Sequence, residues 1–540
     1  MLDETAYLDD FARRSLPPAE LWPVIDSDAL ANLGYPKKIN AAVELLDVAV
    51  GKGLGSRPCL RSAQKTWTYA ELLNQANRIA SVLAQDMGLV PGNRVLLRSA
   101  NNFMLAACWF GVLKAGGIAV TTMPLLRARE LVRICEKAEV QFALCDQRLA
   151  EELEQARPSC AQLKEVRYFN SDRADGLDAL MQQCDGTFSN VISSHDDVAL
   201  IAFTSGTTGP AKATMHFHRD VLAICDSYPA TVLKSTVDDI YTCSAPLGFT
   251  YGLGSLLLFP MRRGSSTVLL EQSTPDTLLS AIQDIGVTTL LTGPTMYRAL
   301  TPHTTRFDLS TLHTCCSAGE HLPIAVFEEW FRRTGIRILD FMGSTELLHA
   351  FIGIPRDDIR PGATGKALPG YTVAVLDEDM KPVAPGAIGK LAVRGPIGCR
   401  YLNDPERQKA YVVEGWNLTG DAFHSDADGF FWYHSRVDDM IVSSGYNISG
   451  AEIEEILLEH PDVAECAVVG VADSGRGQIA KAFIVLRKPE EADDELARLL
   501  QEFVKKSIAP YKYPRAVEFV SELPKTESGK IQRTALRARG

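Results

Sequence analysis

CxxC cysteine pairs, long apolar runs and a basic leader are absent from this sequence. The 12 cysteines are scattered, with one adjacent pair at Cys315 and Cys316, which argues against a zinc ribbon or a disulfide framework and favours a reducing compartment. The acidic N-terminus, MLDETAYLDD, lacks the pattern of a signal peptide, and no apolar run approaches the length of a membrane span. We therefore expect a cytoplasmic protein without a membrane span.

Positive charge is outnumbered, with 55 Lys and Arg against 67 Asp and Glu. The net charge is −12, which argues against a nucleic-acid partner. The last 38 residues are an exception, because they contain nine Lys and Arg against three Glu. This basic tail is either a solvated face or a site for phosphates.

Internal repeats and hydrolase motifs are missing as well. We find no repeat at the usual periods, which argues against a solenoid. A GxSxG elbow and an HExxH site are both absent, which makes a hydrolase a weak interpretation.

Alternating helix and strand patterns fill most of the chain. With 540 residues the protein is too long for one hydrophobic core, so at least two domains are expected. "TYAELLNQANRIASVLAQDMG" has helical spacing and "NRVLLRSAN" follows as a buried strand, and two further helix and strand pairs come next. Short alternating strands then fill residues 370–396, and a fresh α/β pattern starts after residues 435–449.

These patterns predict an α/β fold. We expect a large N-terminal domain of α/β subdomains with a small β-rich subdomain over residues 1–437. A small α+β C-terminal domain is expected over residues 438–540.

A loop of hydroxyl and glycine residues, "FTSGTTGPAKAT", follows the apolar run "DVALIAF". Glycines bring the backbone close to a ligand, hydroxyls donate to phosphate oxygens, and open α/β sheets bind ligands at their strand ends. The spacing does not match the nucleotide loop GxxxxGK[ST]. The residues alone allow a phosphate loop or a flexible surface turn.

The loop resembles the signature of the adenylate-forming superfamily, which includes acyl-CoA synthetases, luciferases and peptide-synthetase adenylation domains. Further segments resemble that superfamily in the expected order, namely "TYAELL", "LKAGGIAV", "APLGFTYGLG", "SAGEHLP", "MGSTE", "GWNLTGDAF", "SRVDDMIVSSGYNISGAEIE" and "LPKTESGKIQR". The resemblance covers nearly the whole chain. It implies an enzyme that joins a small carboxylic acid to a thiol through an acyl-adenylate, with ATP, Mg²⁺ and coenzyme A.

The resemblance also implies a nucleotide site. Residues matched to ATP or AMP binding are Thr204, Ser205, Gly206, Thr207, Thr208, Gly209, Lys212, Ser317, Ala318, Gly319, Glu320, Asp340, Phe341, Met342, Gly343, Ser344, Thr345, Asp421, Arg436 and Lys530. Of these, Thr345 and Lys530 are matched to catalytic positions, together with Glu346 as the Mg²⁺ ligand. Taken alone, the Thr-Glu pair would fit a helix cap, Asp421 a turn and Lys530 an exposed surface.

Family members turn the small domain between the two half-reactions, and the resemblance places the hinge at Asp438. Ser444, Gly445 and Tyr446 would then form the face that meets coenzyme A, and the basic tail would attract its phosphates. The sequence leaves a homodimer open as an assembly.

The acid is expected to be aromatic. Phe249 and Met342 stand where most relatives have His and Tyr, and "MGSTELLHAF", "LPPAELWP" and "INAAVELLD" resemble benzoate-CoA and 2-aminobenzoate-CoA ligases of aromatic compound degradation. Residues expected around the ring are Phe249, Tyr251, Gly343 and His349. His349 would either bond a ring substituent or only pack.

Other functions stay open. A medium-chain fatty acid or another aryl acid could replace benzoate, and the enzyme could instead load a carrier protein. Because only ten residues follow Lys530, we expect no attached carrier domain. A non-catalytic nucleotide-binding or scaffold protein is disfavoured by the presence of Lys530, Asp421 and Glu346.

Overall fold

The structure is a computed structural model that describes residues 2–204, 212–436, 439–443, 446–473, 476–508, 512–526 and 529–539. In its first part the helices and strands are α1 (Phe11–Arg14), α2 (Ser27–Asn32), β1 (Pro58–Arg61), β2 (Thr66–Thr68), α3 (Tyr69–Ser81), β3 (Arg94–Arg98), α4 (Phe103–Lys114), β4 (Ile118–Thr122), α5 (Ala128–Lys137), β5 (Phe142–Asp146), α6 (Ala150–Ala156), β6 (Glu165–Phe169), α7 (Leu177–Gln182), β7 (Val198–Thr204), β8 (Lys212–Phe217), α8 (His218–Asp226) and α9 (Tyr228–Thr231).

The second part continues with β9 (Ile240–Cys243), α10 (Thr250–Leu253), α11 (Phe259–Arg263), β10 (Ser266–Val268), α12 (Pro275–Ile285), β11 (Thr289–Thr292), α13 (Pro294–Leu300), β12 (Thr314–Ser317), α14 (Ile324–Thr334), β13 (Ile338–Gly343), β14 (Ala350–Gly353) and β15 (Lys366–Ala367). The third part contains β16 (Thr372–Leu376), β17 (Gly389–Arg394), α15 (Pro405–Tyr411), β18 (Val412–Val413), β19 (Trp416–Ser425) and β20 (Phe431–Arg436).

The last part contains β21 (Ile441–Ser443), β22 (Tyr446–Ile448), α16 (Gly450–Glu459), β23 (Val463–Asp473), β24 (Gly477–Leu486), α17 (Asp494–Ser507), β25 (Ala516–Phe519) and α18 (Arg533–Arg537). Short 3-10 segments occupy Ala19–Leu21, Gln147–Leu149, Arg157–Ser159, Thr301–Arg306 and Pro489–Glu491. Single π turns occupy Val43–Asp47, Val50–Leu54, Val82–Asp86 and Gly254–Leu258.

Two mostly parallel sheets form the large domain. One has the strand order β6-β5-β3-β4-β7-β8, in which only the β7–β8 pair is antiparallel. The other has the order β15-β14-β13-β12-β11-β9-β10-β1-β2 and is parallel from β13 to β1. The prediction of alternating helices and strands around largely parallel sheets is confirmed.

Helix α4 shows why the core forms between these sheets. All 12 of its residues are buried, because 11 of them are apolar or glycine and the last, Lys114, pairs with Asp47 at 2.6 Å. The largest hydrophobic cluster includes this helix together with residues from β3, β5, β9 and β11.

Two smaller sheets follow. The order β16-β17-β19-β18, with β20 on β19, is antiparallel throughout and confirms the β-rich subdomain. The last sheet, β22-β21-β24-β23 with β25 on β24, packs against α16 and α17 around its own apolar cluster. No described helix is long and apolar enough to cross a bilayer. All 12 cysteines belong to the described part of the chain, and each is a free thiol.

Residues 400–402 extend the first sheet beyond β8. The amide of Met215 donates to the carbonyl of Arg400 at 2.8 Å, and the amide of Leu402 donates to the carbonyl of Ala213 at 2.9 Å. Beside them, the fully buried side chains of Arg400 and Asp220 form an ion pair at 3.0 Å. Because a buried charge without its partner destabilises a protein by about 3–5 kcal/mol, loss of either residue should destabilise this junction.

Burial keeps His218 neutral at the start of α8. Its Nδ1 accepts from the amide of Ala41 at 3.1 Å, and Nε2 lies 3.2 Å from the hydroxyl oxygen of Tyr7. Loss of solvent lowers the pKa of His218 from 6.5 to about 3. His218 takes up a proton near pH 6.5 in the unfolded chain but only near pH 3 in the folded chain. Its contribution to the free energy of unfolding is therefore fully present above pH 6.5 and is lost as pH falls toward 3.

We expect His218→Gln to weaken this pH dependence. Glutamine can accept from Ala41 and donate to Tyr7, but it does not titrate. Between pH 6.5 and 4.5 the wild type should lose roughly 2 kcal/mol more of its free energy of unfolding than the variant. Urea unfolding followed by tryptophan fluorescence measures the stability of the large domain, which contains His218, because all 6 tryptophans precede residue 437. Equal losses in the two proteins would contradict the assignment.

Candidate active site

The hydroxyl and glycine loop joins two paired strands at the carboxyl end of a parallel sheet. Thr204 ends β7, Lys212 begins β8, and the two residues are direct partners in the antiparallel pairing. The predicted residues Ser205, Gly206, Thr207, Thr208 and Gly209 lie outside the described residues, and only the backbone of Thr204 is described. The position of the loop's two ends therefore agrees with a ligand site at the strand ends.

Ser317 and Asp340 meet at the ends of β12 and β13. They are paired across these parallel strands and both are buried. Within the described residues, Oγ of Ser317 and Oδ1 of Asp340 make no hydrogen bond. Burial raises the pKa of Asp340 well above its usual range, although the neighbouring Ser317 hydroxyl opposes this. Buried polar atoms without partners mark a place where a polar ligand can bind.

The segment after Ser317 remains open to such a ligand. Ala318 is buried, whereas Gly319 is exposed and has a φ of 90°, which favours glycine. Glu320 accepts a hydrogen bond from the Thr295 hydroxyl at 2.9 Å. This segment therefore lies beside the unpaired atoms of Ser317 and Asp340.

The Thr-Glu pair lies in a turn between β13 and β14. Phe341, Met342 and Gly343 complete β13, and Ser344 Oγ accepts from the amide of Leu347 at 3.2 Å. Since residues 344–349 contain no helix, the pair does not cap one.

Two buried side chains hold this turn. The hydroxyl of Tyr401 donates to Oε1 of Glu346 at 2.7 Å. Nε2 of His216 lies 2.8 Å from the carbonyl oxygen of Thr345. Burial lowers the pKa of His216 to about 4, so its neutral ring donates through Nε2–H to that carbonyl.

Asp421 and Arg436 face each other on adjacent strands. They are direct partners in the β19–β20 pairing, and Nη1 of Arg436 donates to Oδ1 of Asp421 at 3.1 Å. Burial raises the pKa of Asp421, while the charges of Arg436 and Lys530 oppose the rise. The predicted ribose pair is thus formed by cross-strand register.

Lys530 of the small domain reaches this region. Its side chain is exposed, and a β-carbon placed on Gly319 would lie 3.8 Å from Cε of Lys530. A second contact joins the domains, because Oε1 of Glu455 accepts from the amide of Ile324 at 3.3 Å. The structure therefore places Lys530 beside Gly319, close enough for its charge to act on Asp421.

Aromatic rings surround His349. Its ring centroid lies 4.5 Å from that of Phe259, 5.5 Å from that of Phe341 and 5.9 Å from that of Tyr251. Burial lowers the pKa of His349 to about 3, and the nearby Tyr251 carbonyl opposes the shift. Neither ring nitrogen makes a well-formed hydrogen bond to the described residues.

The other predicted pocket residues border this cluster. Gly343 is required where it stands, since a β-carbon there would lie 2.6 Å from the carbonyl oxygen of His349. Phe249 is half-buried and precedes α10, which carries Tyr251. The sequence-predicted pocket residues are therefore neighbours along β13, the turn that follows it and α10.

The residues predicted to meet coenzyme A are not tested by this geometry. Ser444, Gly445 and the hinge residue Asp438 lie outside the described residues, and only the backbone of Tyr446 is described, in β22. Their roles stay predictions.

Sequence reasoning missed Tyr401 and His216. Each makes a contact with a residue far away in the sequence. Tyr401 is 55 positions from Glu346, and His216 is 129 positions from Thr345. No signal in a single sequence pairs such distant residues.

Comparisons with known proteins agree with this arrangement. The AMP-binding enzyme family matches residues 48–400, and the AMP-binding enzyme C-terminal domain matches residues 452–530. The chain is 34% identical to an uncharacterised acyl–CoA ligase of Bacillus subtilis over 88% of this chain and 91% of the relative. It is 33% identical to the benzoate–CoA ligase of Thauera aromatica over 93% of this chain and 96% of the relative.

Among solved structures, the anthranilate CoA ligase in complex with anthranoyl-AMP superposes with a TM-score of 0.90 and 31% identity, covering 94% of this chain and 98% of that protein. The matches follow the described order of a large domain and a small one. The chain therefore belongs to the AMP-binding enzyme family.

Proposed function

We propose that this protein is an ATP-dependent ligase that activates an aromatic carboxylate as an acyl-adenylate and then forms its coenzyme A thioester. The observation that carries the proposal is the meeting of Lys530 with Gly319 and Asp421. The side chain of Lys530 from one domain lies beside an exposed glycine segment of the other, and its charge acts on the carboxylate that is matched to ribose binding. The benzoate and anthranilate CoA ligases named above support the aromatic substrate.

The first half-reaction has to bring anions together. A carboxylate oxygen of the acid attacks the α-phosphorus of ATP, the bond from that phosphorus to the bridging oxygen breaks, and pyrophosphate leaves with the electron pair. Residues 204–209 and Lys212 would hold the β and γ phosphates, and Thr345 would contact the α-phosphate. Lys530 would lie between the carboxylate and the α-phosphate, where its charge stabilises the transition state.

Glu346 fits a cation that accompanies ATP. Tyr401 uses Oε1, and no other described side chain hydrogen bonds to Oε2. One carboxylate oxygen beside substrate phosphates is the donor set that Mg²⁺ commonly takes in nucleotide sites. When bound, Mg²⁺ would supply charge compensation on the phosphates.

The second half-reaction replaces the phosphate by a thiol. The sulfur of coenzyme A gives up its proton and attacks the acyl carbon, and AMP leaves. Turning the small domain at Asp438 would remove Lys530 and present Ser444, Gly445 and Tyr446 to the thiol.

The free thiols of the protein suit a reducing compartment such as the cytoplasm.

The apolar cluster around His349 supports an aromatic acid. Phe259, Phe341 and Tyr251 offer ring faces and edges, against which a flat ring packs well. The unpaired nitrogens of His349 offer a hydrogen bond to a ring substituent such as the amino group of 2-aminobenzoate.

We expect acid-dependent pyrophosphate release with benzoate and 2-aminobenzoate at well above the rate with octanoate. A flexible alkyl chain packs less well against the aromatic rings than a flat ring does, and it loses more conformational entropy on binding, so octanoate should bind more weakly. Benzoate, 2-aminobenzoate, hydroxybenzoates and octanoate should be compared side by side, with and without coenzyme A. Turnover of octanoate alone would favour a fatty acid ligase, and release without thioester formation would favour carrier-protein loading.

His349→Phe should separate packing from hydrogen bonding. Phenylalanine keeps a flat ring among Phe259, Phe341 and Tyr251 but has no nitrogen. We expect kcat/KM for 2-aminobenzoate to fall about tenfold, the value of one hydrogen bond, while that for benzoate stays within about twofold. A similar fall for both acids would show that His349 acts through packing.

Lys530→Ala should separate the two half-reactions. Without the ammonium group, adenylate formation should slow by at least about 100-fold. Thioester formation from supplied acyl-adenylate should remain largely intact. Lys488→Ala, at an exposed position of the small domain outside the basic tail, is the matched control and should change neither rate. Equal loss of both half-reactions in Lys530→Ala would contradict the proposed division of labour.

A further inference from the structure

Tyr401 is a buried residue whose hydroxyl makes one directed contact. Its side chain is 3% exposed, and its hydroxyl donates to Oε1 of Glu346 at 2.7 Å. The β pairing of Tyr401 with Thr214 uses the backbone, so the side-chain hydroxyl is not needed to complete regular structure. Its effect falls on the orientation of one carboxylate.

The backbone of Tyr401 is fixed by a second buried side chain. Its amide donates to Oε1 of Gln408 at 2.9 Å. Gln408 is fully buried, and its Nε2 donates to the carbonyls of Cys399 and Leu21 at 3.0 Å each. The tyrosine ring packs edge-on against Tyr411, with centroids 5.7 Å apart. Tyr401 therefore has little freedom to follow Glu346 if that residue moves.

Tyr401 is also connected to β8, the strand that begins at Lys212. Thr214 of β8 bridges to Tyr401, flanked by the hydrogen bonds that join residues 213 and 215 to residues 402 and 400. Strand β8 begins at Lys212, and its His216 holds the carbonyl of Thr345 at 2.8 Å. The turn that carries Glu346 is thus held by two hydrogen bonds, one from His216 of β8 and one from Tyr401, which pairs with β8.

We propose that Tyr401 is a positioning residue that fixes the Glu346 carboxylate relative to Lys212, so that Oε2 faces the cation bound with ATP. This inference rests on the proposed function, because it assigns Glu346 to the metal-bound nucleotide. Tyr401 itself touches neither substrate nor metal. It acts by selecting one rotamer of Glu346 before ATP arrives, which removes an entropic cost from metal binding.

Tyr401→Phe is the direct test. It keeps the ring and its contact with Tyr411 and removes only the hydroxyl. We expect the Mg²⁺ concentration for half-maximal acid-dependent ATP–pyrophosphate exchange to rise about five- to tenfold, in keeping with the loss of one hydrogen bond. Thioester formation from supplied acyl-adenylate, which uses no phosphate transfer, should be unchanged.

A binding measurement provides a readout that does not depend on turnover. Calorimetric titration of ATP with and without Mg²⁺ gives the gain in affinity that the metal confers. In Tyr401→Phe that gain should shrink about five- to tenfold, while affinity for ATP without Mg²⁺ stays within about twofold. Tyr371→Phe is the matched control, because Tyr371 is also buried and its hydroxyl has no partner among the described residues.

A double-mutant cycle with Glu346→Gln distinguishes positioning from packing. If Tyr401 acts through the carboxylate, removing its hydroxyl should add no further loss of the Mg²⁺ effect in the Glu346→Gln background. Additive losses, or an unchanged Mg²⁺ dependence in a folded Tyr401→Phe, would overturn the inference. Absence of acid-dependent exchange in the wild type would instead refute the proposed function on which it rests.

Discussion

The short antiparallel pairing between β8 and residues 400–402 holds the large domain's site together. On one side it continues the sheet that contains β7 and β8, and on the other it carries Tyr401 toward Glu346. The fully buried pair of Arg400 and Asp220 lies beside this junction. A charge pair without access to water tolerates little displacement, because separation exposes each charge to a medium of low polarity. The start of β8 at Lys212 and the Thr-Glu turn are therefore joined through one continuous set of buried contacts.

Charge balance explains why the cations at this site come from several elements. The protein carries a net charge of −12, and its substrates are anions. Arg436 on β20 partly neutralises Asp421, and Lys530 is supplied by the small domain. A site of permanent high positive charge would be destabilised by repulsion in the empty enzyme. If the small domain turns as proposed, carrying one ammonium group on that domain would avoid the repulsion whenever the domain is turned away.

The sequence was informative where chemistry is local. Helix α4, strand β3 and the β-rich subdomain follow from apolar spacing and turn residues, and the structure confirms them. The site residues in short motifs, such as Asp421 in "LTGDAF", could be named from resemblance and then found beside their partners. Spacing within one segment is enough for such assignments.

Contacts between distant segments could not be predicted in this way. The bond from Tyr401 to Glu346 and the bond from His216 to Thr345 depend on register between strands that are far apart in sequence. The unpaired state of His349 also depends on packing, because the same histidine on a looser surface would bind water. These features follow from three-dimensional exclusion of solvent, which no residue pattern encodes alone.

The contact between Glu455 and the first amide of α14 bears on how freely the small domain can turn. Pro323, which precedes α14, gives that helix no side-chain cap, so a carboxylate from the other domain serves instead. A hydrogen bond of this kind contributes about 1 kcal/mol, and water replaces it when the domains part. Thermal energy is about 0.6 kcal/mol at room temperature, so breaking this bond changes the ratio of two domain orientations by only about fivefold. The bond from Ile324 to Glu455 therefore favours the observed domain orientation only weakly.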